Sequence, residues 1–300
     1  MTDAIVLTAF GGPEVLRWRP VPTPEPGPGE VRIRVRAAAV GPTDLHIRAG
    51  DLTAVFPQRP GDVLGFEAAG VVDAVGAGAD ARVGDEVAAL LPGQGGYGEL
   101  VTTGVWYPKP APVSWAEAAA LPASADAAVG SLRQVRAADG ETLVVLGAAG
   151  AVGMIVTQVA RSRGMHVVGV ARRHDADLVR ALGADFVESG PRVFDRVGTA
   201  VDAVIAAAGR GELVEAVSAT GDPSRVVTLV GGPEVAISGA FLSHPSPDRA
   251  PDALAVTMPL LASGALRTKR RTILPVRDAA EAHRLLESGA THDKVVLAFG

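Results

Sequence analysis

Glu67 is the first residue that asks for a chemical explanation. It lies in DVLGFEAAG, Asp62 to Gly70, between Phe66 and Ala68. Burying a charge needs a partner or a function, so Glu67 reads as a catalytic group, a metal ligand or a structural residue. The second feature is the glycine turn GAAGAVG, Gly147 to Gly153. Written from Ala148 it is A-x-G-x-x-G, one substitution from the dinucleotide-binding fingerprint. Such a turn takes the chain sharply from strand to helix. Gly150 lets the backbone approach a pyrophosphate with no Cβ in the way, and Gly153 lets the helix pack on the strand. The helix N-terminus offers free N–H groups and its dipole to the anion. Ala149, Gly150, Ala151, Val152 and Gly153 are therefore cofactor-binding candidates.

The cofactor's identity turns on a residue further along. An NAD site places an acidic residue about 20 positions on, to accept from the ribose 2′-hydroxyl. Here Arg172 stands 19 residues beyond Gly153, with Arg173 and His174 after it. A guanidinium suits a 2′-phosphate instead, so the expected cofactor is NADP(H). His174 either adds a donor or faces water.

These residues need elements to hold them. Val31–Val40, VRIRVRAAAV, opens with the period-two alternation of a half-buried strand after a proline-rich lead-in. Gly70–Val75 and Glu86–Leu91 are further strand candidates. From about residue 116, alanine-rich helical segments alternate with short β-branched runs, the pattern of a parallel α/β sheet. The strands are Thr142–Leu146, His166–Ala171, Asp185–Val187, Val201–Ala206 and Arg225–Val230. Helices are expected at Val152–Arg163 and Asp175–Leu182. A last helix, Asp278–Ser288, precedes a final strand, Lys294–Phe299. Leu143 to Ala160 is apolar enough to suggest a membrane span. Its β-branched front half and its three glycines favour strand, turn and helix in a buried core.

Composition narrows the classes. The 300 residues carry a formal net charge of -5, which argues against a nucleic-acid surface. The one basic cluster, Arg267 to Arg271, reads as a solvated loop. The chain has no cysteine, so disulfides, thiolate nucleophiles and cysteine-containing zinc sites are excluded. MTDAIVLTAF lacks the basic start of a secretory signal, and a cytoplasmic location with no membrane partner is expected. G-x-S-x-G, H-E-x-x-H and P-loop motifs do not occur, which leaves hydrolase, metalloprotease and NTPase readings unsupported.

Taken in order, PVPTPEPGPGEVRIRVRAAAVGPTDLHIRAG, GFEAAGVV, VGDEVA, GGYGEL, AAALP, GAAGAVG, RVVTLVG and AAEAHRLLESG ending in DKVVL resemble the medium-chain dehydrogenase/reductase superfamily. The resemblance is to its zinc-independent quinone oxidoreductase and enoyl reductase branch, and it covers essentially the whole chain. It implies an α/β fold of two domains. A GroES-like β-barrel catalytic domain would span residues 1–115, completed by about 258–300. A Rossmann domain with a doubly wound parallel sheet would fill 116–257 and bind NADP(H), with the substrate cleft between them. It also implies a homodimer through the Rossmann sheet edge. Val230, Gly231 and Lys294 join the cofactor-binding set, and Phe241 belongs to a loop, Ser238–Asp248, that closes over the nicotinamide.

In zinc-dependent relatives the positions of Gly41 and Phe66 carry a cysteine and a histidine that hold the metal. Neither residue here can ligate, so no metal is expected and Glu67 resembles the retained neighbour of a lost site. The resemblance then implies hydride transfer to a conjugated carbonyl acceptor: a quinone, an enone or an enoyl thioester. Charge spreads onto an oxygen in that reaction, and a few hydrogen-bond donors suffice. Thr43, Asp44 and Tyr97 are the catalytic candidates. Gly41, Pro42, His46, Phe66 and Glu67 are placed in the substrate cleft with Phe241. His46 and Tyr97 each admit a packing role as well. Relatives carry asparagine at Gly41 or tyrosine at Pro42, so the family's proton donor does not transfer. A cofactor-contacting threonine is Ala127 here, beside Asp126, with Ser124 and Ser131 as possible replacements. A tailoring enoyl reductase of a biosynthetic pathway and a non-catalytic NADPH-binding sensor are the alternative readings.

Overall fold

The chain starts with two strands, β1 (Thr2–Leu7) and β2 (Leu16–Val21), paired antiparallel in the computed structural model. The model describes residues 1–209, 211–244 and 249–300. The alternation in VRIRVR becomes β3 (Val31–Val40), with Val31, Ile33 and Val35 buried and Arg34 and Arg36 exposed. Its second half, Ala37 to Val40, is buried on both faces. The left-handed Gly50 then ends α1 (Pro42–Ala49). β4 (Glu67–Val75), β5 (Glu86–Leu90), β6 (Leu100–Thr103), β7 (Trp106–Pro108) and the short α2 (Trp115–Ala119) follow. A Cβ at Gly70 would strike the Arg34 carbonyl oxygen, so only glycine lets β4 lie this close to β3 there.

The middle of the chain alternates helix and strand, as its composition requires. It runs α3 (Pro122–Gln134), β8 (Thr142–Leu146), α4 (Ala151–Ser162), β9 (His166–Ala171), α5 (Ala176–Ala181), β10 (Asp185–Glu188) and β11 (Ala203–Ala206). It continues with α6 (Leu213–Thr220), β12 (Val226–Thr228), α7 (Pro233–Ser238) and the two-residue β13 (Phe241–Leu242). The return comprises α8 (Ala253–Ala262), β14 (Arg271–Pro275), α9 (Ala279–Glu287) and β15 (Lys294–Ala298).

These elements make two compact units. One holds Met1–Ala123, Leu254–Ala262 and Arg270–Gly300, and the other Ser124–Ala253 with Ser263–Lys269. The helical pattern that begins near residue 116 suggests an earlier boundary, but α2 packs on β3, β4 and β5 and stays with the first unit. That unit is a mainly antiparallel sheet in the order β14-β15-β3-β4-β5-β7, with β6 also on β3. Only the β14–β15 pair is parallel among its strands. Arg271, the last residue of the basic cluster, begins β14 rather than lying in a loop, and its guanidinium pairs with Glu117 at 3.0 Å.

The second unit is a six-stranded parallel sheet, β10-β9-β8-β11-β12-β13. Counted from β8 as its first strand, this is the doubly wound order 3-2-1-4-5-6. Its central strands are buried on both faces, which the continuous Val, Ile and Leu runs demand. The expected α/β class, a barrel-type antiparallel domain plus a doubly wound parallel domain, is the one found. The apolar run Leu143–Ala160 divides into β8, a turn and α4, and among the described residues no helix is long and apolar enough to cross a membrane.

Candidate active site

In the doubly wound unit the strand order reverses at β8, and the glycine turn follows that strand. Gly147 sits at φ +81°, and a Cβ there would press on Ala208. A Cβ on Gly153 would enter the Gly147 carbonyl oxygen, so α4 can lie against the turn only with glycine at that place. The turn is tied down by Gly147 and Ala148, whose N–H groups donate to the Val170 carbonyl at 2.9 and 3.0 Å. Gly150 caps α4 in extended backbone with no side chain. The N–H groups of Ala151, Val152 and Gly153 then head the helix, where no carbonyl of the helix can receive them. This bare cradle, preceded by Ala149, fits a pyrophosphate.

Arg172 and Arg173 follow the end of β9, both exposed, and neither guanidinium pairs with a described carboxylate. They suit an anion arriving from solvent. His174 is also exposed, with Nε2 at 3.4 Å from Asp175. Val230, half-buried, donates its N–H to Thr228 Oγ1, and the exposed Gly231 follows it. Phe241, in the edge strand β13, is 52% exposed. Residues 245–248 of the loop expected to close over the nicotinamide lie outside the described residues. At the start of α3, the buried Asp126 pairs with Arg249, and Gly130 leaves room for the stem of that arginine. Burial raises the Asp126 carboxyl against the pull of Arg249. Ala127 is buried beside it, while the Ser131 hydroxyl is buried with no partner.

The barrel-type unit gathers the charged candidates. Glu67 opens β4 and is 2% exposed. Its Oε1 lies 2.7 Å from the Lys294 ammonium, and its Oε2 accepts the Ala123 N–H at 2.8 Å. The carboxylate in the apolar run is thus neutralised by a cation at the far end of the sequence. Lys294 belongs to β15, which pairs with β3 and so returns to the start of α1. A Cβ on Gly41 would stand 3.8 Å from Lys294 Nζ and 3.5 Å from Asp44 Oδ2. Breaking a buried ion pair by removing one partner strands the other charge. Lys294→Met is therefore expected to destabilise the fold by about 3–5 kcal/mol in urea unfolding. Adding Glu67→Gln should recover much of that loss.

Asp44 sits in the first turn of α1 and is 2% exposed. Its Oδ2 accepts the Gly41 N–H at 2.8 Å, while Oδ1 makes no hydrogen bond of standard geometry. Burial pushes this carboxyl up to about 7; the Gly41 N–H and the Lys294 charge oppose the rise, and Glu67 adds to it. At neutral pH a large share of Asp44 therefore keeps its proton. Thr43, the preceding residue, is half-buried, and its hydroxyl has no hydrogen-bond partner among the described residues. Phe66 is buried, edge-on to Phe56 with ring centroids 5.2 Å apart. Pro42 is exposed at the helix start. His46 lies on the exposed side of α1, with Nδ1 at 3.1 Å from Asp51.

Tyr97 is fully buried. Its position depends on Gly65, since a Cβ there would run into the phenol ring. Burial pushes the phenol well above its ordinary value, and the charge and hydrogen bonding of Asp44 beside it add to the effect. The hydroxyl lies 3.2 Å from Nε2 of His283, a fully buried residue of α9. Burial and the nearby Arg48 hold that imidazole neutral, pulling it down to about 3. Arg48 on α1 donates Nε–H to the Gly11 carbonyl and pairs with Glu287 through Nη2. Sequence reasoning missed His283 and Arg48, because within AAEAHRLLESG and DLHIRAG they read as ordinary helix-surface residues.

Two family models match the chain: "Alcohol dehydrogenase GroES-like domain" over residues 27–128 and "Zinc-binding dehydrogenase" over residues 166–297. Gly41 and Phe66 offer no ligating atom, and among the described residues no group of three His, Asp or Glu is arranged to hold a metal. The chain is 33% identical over 175 residues to quinone oxidoreductase of Rattus norvegicus, covering 56% of this chain and 52% of the relative. It is 31% identical over 220 residues to an NADPH-dependent alkenal/one oxidoreductase of Arabidopsis thaliana, covering 65% and 53%. The chain thus spans about half the length of the curated relatives it matches. Among solved structures it is similar to the quinone oxidoreductase from Coxiella burnetii, with a TM-score of 0.87 and 25% identity over 100% of this chain and 99% of that one.

Proposed function

Because the chain belongs to the medium-chain dehydrogenase/reductase superfamily, we propose that it is an NADPH-dependent reductase of conjugated carbonyl acceptors, quinones or enones. NADPH, when bound, supplies a hydride to the electron-poor carbon of the acceptor. The turn Gly147–Gly153 would hold the pyrophosphate on the α4 N-terminus, and Arg172 with Arg173 the 2′-phosphate. The observation that carries the reading is the Asp44–Glu67–Lys294 cluster. It presents one acid raised to about 7, so that about half of it keeps its proton at pH 7, beside positions 41 and 66 with no ligating side chain. Conjugate reduction needs a proton to balance the hydride, and Asp44, raised to about 7, would supply it from its protonated fraction near neutral pH. Thr43 would donate its unpartnered hydroxyl to the acceptor oxygen, where negative charge collects. The relatives named for quinone and for alkenal/one reduction support the same acceptor class.

Product analysis tests this. Offered an enone and NADPH, the protein should return the saturated ketone with its carbonyl intact. An allylic alcohol as product would place the hydride on the carbonyl carbon and refute the reading.

A further inference from the structure

At the end of β12 a side chain takes over from the sheet. The last main-chain bonds there run from the Leu229 N–H to the Ala206 carbonyl at 3.0 Å and from the Ser243 N–H to the Thr228 carbonyl at 2.8 Å. Beyond them Val230 makes no main-chain hydrogen bond among the described residues. The Thr228 hydroxyl serves both of its polar groups instead. Oγ1 accepts the Val230 N–H at 3.0 Å and donates to the Val230 carbonyl at 3.1 Å, with the Ala206 carbonyl 3.5 Å away. Thr228 is 1% exposed. One buried hydroxyl thus sets the course of the chain as it leaves β12 for Gly231 and Gly232, which have no side chains to hold them.

That stretch stands at the carboxyl end of the parallel sheet, where nucleotides bind in doubly wound folds. The glycine turn follows β8, and the chain after β11 packs on it. Ala207 and Ala208 donate their N–H groups to the Leu146 carbonyl at 3.0 and 3.1 Å, and a Cβ on Gly147 would meet Ala208. β12 is the next strand out, two strand spacings or about 10 Å from β8. Arg172 and Arg173 follow β9, on the opposite side of β8. With the 2′-phosphate at those arginines and the pyrophosphate on the turn, the half of the cofactor left to pass over β11 and β12 is the nicotinamide half.

We propose that Thr228 is a positioning residue for the nicotinamide half, its hydroxyl fixing the backbone of Val230 and Gly231 on which that half rests. This rests on the cofactor reading above and gives Thr228 no part in the chemistry. The hydroxyl carries the role, and not the shape of the side chain. Valine has nearly the threonine outline but neither accepts nor donates, so it would leave the Val230 N–H unpaired and loosen the stretch. Serine keeps the hydroxyl and loses only the methyl. The two substitutions therefore part a positioning role from a packing role.

Calorimetric titration with two probes tests it. NADPH carries both halves of the cofactor, whereas adenosine 2′,5′-bisphosphate carries the adenosine half alone. Thr228→Val should bind NADPH about tenfold more weakly, the size set by two net hydrogen bonds, and bind the bisphosphate as the parent does. Thr228→Ser should match the parent with both probes. Three results would each overturn the proposal: equal weakening of both probes by valine, no weakening of NADPH, or a loss in the serine variant as large as in the valine one. Should Thr228→Val fail to fold, Thr228→Ala removes the same hydroxyl and is read the same way. The titration needs no acceptor, so failure of every acceptor would refute the reaction while the valine–serine split upheld Thr228. A parent that preferred NADH would refute the phosphate assignment, and the same split measured with NADH would again uphold Thr228. A parent that bound neither dinucleotide would overturn both.

Discussion

Alanine at both Arg172 and Arg173 is expected to weaken NADPH binding on the order of 100-fold, while changing NADH binding less than about threefold. Each charge-assisted hydrogen bond to a phosphate is worth about 1.5–3 kcal/mol. Both side chains are exposed, so the lower end applies, and two such bonds make about 3 kcal/mol. NADH carries a hydroxyl where NADPH carries the 2′-phosphate, so it has little to lose. The two arginines pair with no described carboxylate, and their removal leaves no buried charge behind. Fluorescence titration of both cofactors against the double variant measures the two losses together. Equal losses would show that the arginines steer anions in general and do not read the phosphate.

The second large effect is expected at Asp44, where activity and stability should move in opposite directions. Asp44→Asn keeps the acceptor for the Gly41 N–H but removes the proton, and general acid catalysis contributes roughly 100- to 10,000-fold. A loss in kcat within that range is expected, together with the disappearance of the fall in kcat/KM as pH rises through about 7. For stability the sign follows from a folded-state value raised from the ordinary 3.8 to about 7. The native state holds this proton where the unfolded chain has released it, so stability declines as pH rises from about 4 to about 7 and levels off above. Roughly three pKa units at about 1.36 kcal/mol each set a ceiling near 4 kcal/mol on that decline. The asparagine variant avoids it and should be more stable than the parent at pH 8, with a smaller difference at pH 5. Thermal unfolding at the two pH values checks this. A variant less stable than the parent at pH 8 would mean that Asp44 is ionised and well paired in the fold.

The two halves of the site differ in how far the sequence discloses them. The phosphate turn is local: a β-branched strand, three glycines at fixed spacing and an apolar helix are consecutive, so sequence order is spatial order. Arg172 is read the same way, because one strand separates it from the turn. The acid cluster is assembled from α1, β4, the loop at Tyr97, α9 and β15, and no spacing rule connects these segments. Glu67 is conspicuous as a charge among apolar residues, but its partner Lys294 emerges only once β15 is paired with β3. His283 and Arg48 look like members of polar helix faces until α9 and α1 fold over the barrel interior. β14 is hidden for a different reason. Its strand begins inside a run of basic residues, and it is held by parallel pairing with β15 rather than by an apolar pattern of its own. The two-residue β13 is too short to carry any periodicity.

The central claim is the reaction, and NADPH oxidation followed by absorbance tests it most directly. Quinones, enones and enoyl thioesters would be offered singly, with NADH in parallel. The account predicts NADPH oxidation with at least one of these conjugated acceptors, and much slower oxidation of NADH. Tight NADPH binding with no oxidation against any of them would contradict it.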